Sequence, residues 1–283
     1  MIAGVDLLVV GGLSIDRFPD GSEAPGGSVV HAAHAWAMAG LRGATITTAG
    51  PEDVAVAGVE TLRSFGPLLV HDAPASIRFL IDERLSRRVV TYESGARLPV
   101  SSADVARLPS RAALIAPIAG ELDPGALVAT SPVSVRVAAL QGWLRILVPG
   151  EPVRARPLVS LGAELRDTLR GMTALVVSDE DLAGAVPDAG DAIGAFRDWV
   201  GSGPVLVVTA GQAGASLDFS GGIRVAMPAP LAVSGVSTLG AGDAFAALFA
   251  AGLGGGMDAQ RAAHTAATGV SHWLAARSRA SGS

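Results

Sequence analysis

The chain has 283 residues, 49% of them hydrophobic and 17% charged, and its formal net charge is −5. This composition predicts a globular protein with a large core, and the absence of basic runs argues against nucleic acid as a partner. Cysteine is absent and all 21 basic residues are arginine, which excludes disulfides, cysteine-ligated zinc and a lysine-containing P-loop.

No segment of the sequence predicts a membrane span or a targeting peptide. Asp6 interrupts the apolar N-terminus, and the apolar runs at 5–13 and 244–253 are far shorter than the roughly 20 residues that cross a bilayer. We therefore expect a cytoplasmic protein without a membrane partner.

The N-terminal part of the chain predicts a β-α-β unit. Residues 5–10 are a continuous apolar run, typical of a strand covered on both faces of a parallel sheet. Residues 28–39 have the pattern of a buried helix, with Ser28 as its N-cap and Gly40 just beyond its end. Residues 44–49 then predict the second strand.

The next segment departs from this alternation. Residues 76–92 alternate apolar and polar side chains on either side of a charged turn at 83–88, which predicts a half-exposed hairpin inserted between α/β units. An ordinary surface hairpin is the alternative interpretation.

The α/β pattern returns from residue 112 onward and contains no internal repeat or linker. Strands are predicted at 114–118, 133–138, 174–177 and 205–208, helices at 161–170, 193–200 and 262–274, a loop at 151–158 and a frayed tail at 278–283. We expect one main domain spanning 1–283.

The most informative segment is 237–245, Ser-Thr-Leu-Gly-Ala-Gly-Asp-Ala-Phe, which runs directly into an Ala-rich helical pattern. Small residues at Gly240, Ala241 and Gly242 let backbone N–H groups converge on an anion at a helix N-terminus. Asp243 at the same place suits a base that removes a proton from a hydroxyl during phosphoryl transfer. The alternative is a tight turn with Asp243 as a helix cap.

This segment resembles the C-terminal signature of the ribokinase-like (PfkB) family of carbohydrate and nucleoside kinases, Asp-Thr-x-Gly-Ala-Gly-Asp. Three further segments resemble the family in the same order: 9–16, 25–28 and 207–215. The resemblance implies a three-layer α/β/α domain with a mainly parallel sheet, and a small β lid contributed by about 12–24 and 76–95.

The resemblance also implies an acceptor site in the N-terminal part. The family's acid at the end of the first strand, which binds acceptor hydroxyls, corresponds to Asp16, and its glycine pair to Gly26 and Gly27. The family usually has Asn where this chain has His31, a departure that puts the substrate in doubt. His34, one turn further on, would face the same side and could equally be a core histidine.

For the donor, the resemblance implies ATP bound by Thr209, Gly211 and Gly214, with Thr238 in the signature loop. Ser237 replaces the usual Asp of that signature. The family's Asn-x-x-Glu motif, which positions waters around Mg²⁺, corresponds to Ser-Asp-Glu-Asp at 178–181. Glu180 or Asp181 could serve the metal, or these acids could simply stabilise the start of the following helix. The resemblance also allows a monovalent cation and a homodimer formed through the lid.

The function implied is transfer of the γ-phosphoryl of ATP to a small polyol, a sugar or a cyclitol, with Asp243 as base. Residues 119–122 faintly resemble the inositol-kinase branch. A nucleoside kinase and a degenerate member that binds ligand without turnover remain alternatives. A Rossmann dehydrogenase is excluded because Gly11-Gly12 lacks the Gly-x-Gly-x-x-Gly spacing.

Overall fold

The computed structural model describes residues 4–84, 88–230 and 237–281. Its strands are β1 Val5–Gly11, β2 Ser14–Arg17, β3 Glu23–Gly26, β4 Gly43–Ala49, β5 Leu68–Asp72, β6 Ile77–Asp82, β7 Val89–Ser94, β8 Ser110–Ala116, β9 Val135–Ala139, β10 Arg145–Ile146, β11 Arg154–Ala155, β12 Ala174–Ser178, β13 Val205–Thr209, β14 Ala215–Asp218 and β15 Arg224–Met227. Its helices are α1 Ser28–Met38, α2 Asp53–Phe65, α3 Ser102–Ala106, α4 Pro124–Ala129, α5 Ala163–Arg170, α6 Asp179–Ala185, α7 Ala192–Val200, α8 Ala241–Gly254 and α9 Ala259–Ser281.

A nine-stranded sheet forms the centre of the molecule, in the order β15-β14-β13-β12-β9-β8-β1-β4-β5. The seven strands from β13 to β5 are parallel, while β14 and β15 add an antiparallel edge. Parallel neighbours require crossover connections, so helices cover both faces of the sheet and the inner strands are mostly apolar.

The alternation of side chains along β1 illustrates the two cores. Leu7 and Val9 face a layer that contains α1, α2, α8 and α9. Leu8 and Val10 face the opposite layer, built from α3 to α7. This arrangement confirms the predicted three-layer α/β/α architecture. None of the described helices is long and apolar enough to cross a membrane.

A second sheet, β3-β2-β6-β7, lies beside the carboxyl ends of the central strands and is called the lid below. The strands β2 and β6 pair in parallel, whereas β3 and β7 are antiparallel additions at the edges. Ile77, Phe79 and Ile81 form its buried face and pack against Ile118. The hairpin predicted over 76–92 is therefore present as β6 and β7, within a four-stranded sheet.

Four details of the sequence prediction are wrong. The N-cap of α1 is Gly27, since the Ser28 hydroxyl donates instead to the Ala116 carbonyl at 2.6 Å. The acid Asp16 lies inside β2 of the lid and not at the end of β1. The segment 151–158 is not entirely a loop, because it contains β11. The tail predicted to fray from 278 continues as α9 to residue 281; residues 282–283 lie outside the described part of the chain.

Candidate active site

The site is built around the first turn of α8. Gly240 precedes this helix in the left-handed conformation, with φ +80°, which glycine adopts without steric cost. A Cβ at Gly240 would lie 2.1 Å from Cγ of His31. Both facts require glycine at this position. A Cβ at Gly242, by contrast, would have no neighbour within 4 Å, so this face of the turn is open.

Asp243 occupies the first turn of α8 and is half-buried. Burial raises the pKa of its carboxyl to about 7, Arg145 opposes this rise, and the nearby charges of Asp16 and Asp181 add to it. The group therefore changes its protonation near neutral pH, as an efficient general base requires.

Asp16 projects from β2 and is 4% exposed. Its Oδ1 accepts a 2.6 Å hydrogen bond from the Ser14 hydroxyl. A Cβ on Gly26 would lie 2.0 Å from Oδ2 of Asp16, so the glycine at 26 makes room for the carboxylate. Burial raises the pKa of Asp16 to about 6, against the hydrogen bond from Ser14.

Gly27 and His31 bring α1 against the signature loop. Gly27 has φ +89°, and a Cβ there would lie 2.3 Å from the Gly12 carbonyl oxygen. The His31 ring contacts Gly240 and meets the Trp273 ring edge-on, with centroids 6.3 Å apart. Burial, aided by the charge of Arg277, lowers the pKa of His31 to about 4, so the imidazole is neutral. His34 is exposed and packs edge-on against Phe65 of α2, away from this group.

A cavity of about 530 Å³ opens beside the first turn of α8. It is called the donor cavity below. All four residues predicted to bind the donor line it, together with parts of the signature turn and of α9: Thr209, Gly211, Gly214, Thr238, Ala241, Gly242, Phe245, Ala267, Val270, Ser271 and Leu274. Asp16, Gly26 and Gly27 do not line this cavity.

The two acids predicted to serve a metal have different surroundings. Glu180 is exposed and lines the donor cavity. Asp181 accepts a 2.8 Å hydrogen bond from the Ser178 hydroxyl, and its Oδ1 lies 3.9 Å from Nε of Arg145. In the described ranges no three acids or histidines are grouped closely enough to hold a metal ion by themselves.

The sequence analysis missed the arginines of the site. Arg145, on β10, is 16% exposed, and burial lowers its pKa while Asp181 and Asp243 raise it. Arg88 lines the donor cavity. Arg277 donates from Nη1 to the Leu239 carbonyl at 2.8 Å and lies over the Trp273 ring. No motif marks these residues; only Arg88 belongs to a segment, the charged turn, that the sequence analysis singled out.

Glu121 is a further buried acid near the lid. It is 2% exposed, and its carboxylate accepts hydrogen bonds from the backbone of Ile118 and Ala119. A Cβ at Gly12 would lie 2.7 Å from its Oε1. Glu121 therefore holds the loop after β8 against the start of the lid. Burial raises the pKa of Glu121.

The two glycines of the signature turn are expected to respond differently to alanine. Gly240→Ala should destabilise the protein by about 1–3 kcal/mol, because it combines a positive φ with a clash against His31. Gly242→Ala should stay within about 0.5 kcal/mol of the parent, since its methyl group points into open space. Urea unfolding of both variants measures this difference, and equal losses would contradict the described turn.

The raised pKa of Asp243 also predicts a pH-dependent effect on stability. Its folded pKa of about 7 exceeds the ordinary value of 3.8, so the folded state binds the proton more tightly. The free energy of unfolding therefore falls through this group as pH rises from about 4 to about 7. At pH 8 Asp243→Asn should be more stable than the parent by on the order of 2 kcal/mol, about half of what the rise in pKa represents, because the side chain is only half-buried and solvent screens its charge. At pH 5 this advantage of the variant over the parent should be smaller. Urea unfolding at both pH values tests this, and a variant less stable than the parent at pH 8 would refute it.

Comparisons with known proteins agree with this geometry. Residues 153–278 match the model of the pfkB family carbohydrate kinases. A search of curated proteins by sequence gives no match.

Solved structures resemble the chain along nearly its whole length. A pyrophosphate-dependent kinase in the ribokinase family, complexed with a pyrophosphate analogue and myo-inositol, is 20% identical, with TM-score 0.76 and 95% of each chain covered. Arabidopsis thaliana ribokinase, complexed with ribose and ATP, is 16% identical, with TM-score 0.71 and coverage of 95% of this chain and 92% of that one. Burkholderia thailandensis nucleoside kinase, in complex with inosine, is 18% identical, with TM-score 0.70 and coverage of 95% and 90%.

At these identities the structural likeness establishes the fold. The family match covers the part of the chain that contains β12, β13 and α8, and hence Asp243 and all the described residues of the donor cavity except Arg88. Together the two findings confirm the resemblance to the ribokinase-like (PfkB) family and indicate that the protein is a kinase.

Proposed function

We propose that the protein transfers the γ-phosphoryl group of ATP to a hydroxyl of a small polyol, a sugar or a cyclitol, with Asp243 as the general base. The whole chain, 1–283, would act as one kinase domain, with the lid covering the acceptor. The observation that carries the proposal is the placement of Asp243: its carboxyl has a pKa of about 7 and lies beside a glycine turn that opens into the donor cavity.

The residues would act as follows. Asp16 and the turn at Gly26 and Gly27 would hold the acceptor, since a carboxylate accepts hydrogen bonds from two neighbouring hydroxyls. Asp243 would take the proton of the attacking hydroxyl. The backbone N–H groups of the signature turn, at the positive end of the α8 dipole, would stabilise negative charge on the phosphoryl group.

His31, which the resemblance places in the acceptor site, would have a mainly structural role. Its neutral ring supports Gly240, so we propose that it shapes the signature turn and presents at most an edge to the acceptor. The lid would exclude water, so that the donor is not hydrolysed.

Mg²⁺ suits the acids of this site when phosphates are bound. Mg²⁺ is commonly held by one or two carboxylates, several waters and substrate phosphates. Glu180 lines the donor cavity and would hold the ion through water, whereas Asp181 is already bonded to Ser178 and faces Arg145. Bound there, the ion would neutralise donor phosphate charge.

The donor cavity supports ATP over a phosphate-only donor. Apolar side chains of α9, including Val270 and Leu274, line it, and they would offer a surface for the adenine ring. Pyrophosphate is a second candidate donor, because a solved kinase with the same fold is pyrophosphate-dependent. Its two phosphates would need only the part of the donor cavity nearest Gly242.

The acceptor side of the site favours a polyol. Asp16 offers a carboxylate for hydroxyl groups, while Phe79 and Tyr92 of the lid lie 6.0 Å apart and pack with each other. A nucleoside would need an aromatic face free for stacking, so the nucleoside kinase is the weaker alternative. A non-catalytic member is the other alternative, and the retention of Asp243 in its tuned environment argues against it.

Three further expectations belong to this proposal. A protein that uses ATP and small metabolites is placed in the cytoplasm. If a monovalent cation binds near the signature turn, addition of K⁺ should raise turnover. A homodimer through the lid would be seen by analytical ultracentrifugation as a species of twice the 28.3 kDa chain mass.

Asp243→Asn provides the test of the proposed reaction. Formation of phosphorylated product should be followed with Mg·ATP and with Mg·pyrophosphate against pentoses, hexoses, inositols and nucleosides. With the best acceptor, kcat of the variant should fall by about 10²–10⁴-fold, the usual contribution of a general base. Its affinity for the donor should change little, because the carboxylate does not hold the donor.

Two outcomes would contradict the proposal. Full activity of Asp243→Asn would exclude the carboxyl as base. Donor binding by the parent protein without turnover of any acceptor in the panel would favour the non-catalytic alternative.

A further inference from the structure

The tip of the lid touches the signature loop. The lid strands β6 and β7 are joined by the charged turn, whose described residues are Glu83, Arg84 and Arg88. Nη2 of Arg88 donates to the Thr238 hydroxyl at 3.2 Å. The Ser237 hydroxyl donates to Oε1 of Glu83 at 3.0 Å. Two contacts therefore join segments about 150 positions apart in the sequence.

Arg88 lines the donor cavity. Among the described residues that line this cavity it is the only cation. The cavity also contains the open face of Gly242, where the backbone N–H groups of α8 begin. A chain without lysine must supply any positive side chain to a phosphate as arginine, whose planar fork suits phosphate oxygens.

Arg88 forms an ion pair with Glu83 at the tip of the lid. Its Nη2 lies 2.6 Å from Oε1 of Glu83, and both side chains are 32% exposed. A phosphate bound by Arg88 would compete with Glu83 for the guanidinium. A half-exposed ion pair of this kind is weak, so a multiply charged phosphate can displace it.

We infer that Arg88 is a donor-binding residue: the lid carries it to the donor phosphates, and Glu83 holds it there until a phosphate takes its place. This inference rests on the proposed phosphoryl transfer. The lid would then have two roles. It would cover the acceptor, and it would bring the positive charge of Arg88 to the donor phosphates.

The same turn offers a matched control. Arg84 pairs with Asp82, two residues before it in the lid, through hydrogen bonds of 3.0 and 2.8 Å. Its side chain is 71% exposed, and no contact joins it to the signature loop among those described. Arg84→Gln therefore removes the same charge from the same turn without touching the donor cavity.

The experiment measures binding of donor analogues that cannot be turned over. Calorimetric titration of Arg88→Gln, Glu83→Gln, Arg84→Gln and the parent would use the Mg²⁺ complexes of the β,γ-imido analogue of ATP and of imidodiphosphate. Circular dichroism and thermal unfolding verify that each variant is folded. The affinity of Arg88→Gln should fall roughly 10- to 100-fold for both analogues, the usual contribution of a hydrogen bond to a charged group. Arg84→Gln should bind like the parent.

Glu83→Gln separates phosphate binding from a structural latch. If Arg88 and Glu83 only held the lid shut, both variants would lose affinity alike. If Glu83 competes with phosphate, Glu83→Gln should bind the analogues about two- to fivefold more tightly, the usual strength of a half-exposed ion pair.

Three results would overturn the inference: equal affinity in Arg88→Gln and Arg84→Gln, weakening in both Arg88→Gln and Glu83→Gln, or no binding of either analogue by the parent. Failure of the proposed function gives a different result, because analogues would then bind in an Arg88-dependent manner while no acceptor is phosphorylated.

Discussion

The arrangement of this site depends on the Asp243 carboxyl, whose negative charge is partly removed from water and lies near two other acids, Asp16 and Asp181. Its charge is disfavoured by desolvation and by Asp16 and Asp181, and it is stabilised by Arg145. This balance keeps the pKa of the carboxyl near neutrality. At such a pKa a large fraction of the carboxyl is deprotonated at pH 7, and the carboxylate is still basic enough to accept a proton. The helix that carries it is held rigidly: the apolar body of α8 is almost wholly buried between the sheet, α1 and α9. The left-handed Gly240 then sets where that helix begins.

The two halves of the chain contribute differently to the proposed reaction. The C-terminal part contains Asp243 and every residue that lines the donor cavity except Arg88, and it is the part that matches the family model. The N-terminal half supplies Asp16, His31 and the lid, and the substitution of His31 for the family's usual Asn lies there. Under the proposed function, changes on the acceptor side would alter which hydroxyl compound is phosphorylated, whereas the donor side would have to keep its turn geometry for any acceptor. The identity of the acceptor would therefore depend on the residues, such as His31, for which the family resemblance is least informative.

The sequence predicted the α/β frame and the small-residue turn that begins α8, because both depend on local patterns. Apolar runs marked the parallel strands of the sheet, and the small residues before Asp243 marked the start of α8. The antiparallel strands β14 and β15 escaped prediction because they are short and mix polar with apolar residues. Helix α2 was missed because only three of its residues are buried. Arg88 and Arg145 were missed because their importance comes from tertiary contacts, with Thr238 and with Asp181, that no local pattern contains.

The pH dependence of kcat/KM for the best acceptor tests the central claim most directly, because it reports the ionisation of the free enzyme. The base must be deprotonated, so kcat/KM should rise about tenfold per pH unit below about 7 and level off above it. In Arg145→Gln the loss of the opposing positive charge should move this inflection to higher pH, whereas the exposed Arg84→Gln should leave it in place. A profile that is flat between pH 5 and 8, or an inflection that Arg145→Gln does not move, would contradict the account of Asp243 as a tuned base.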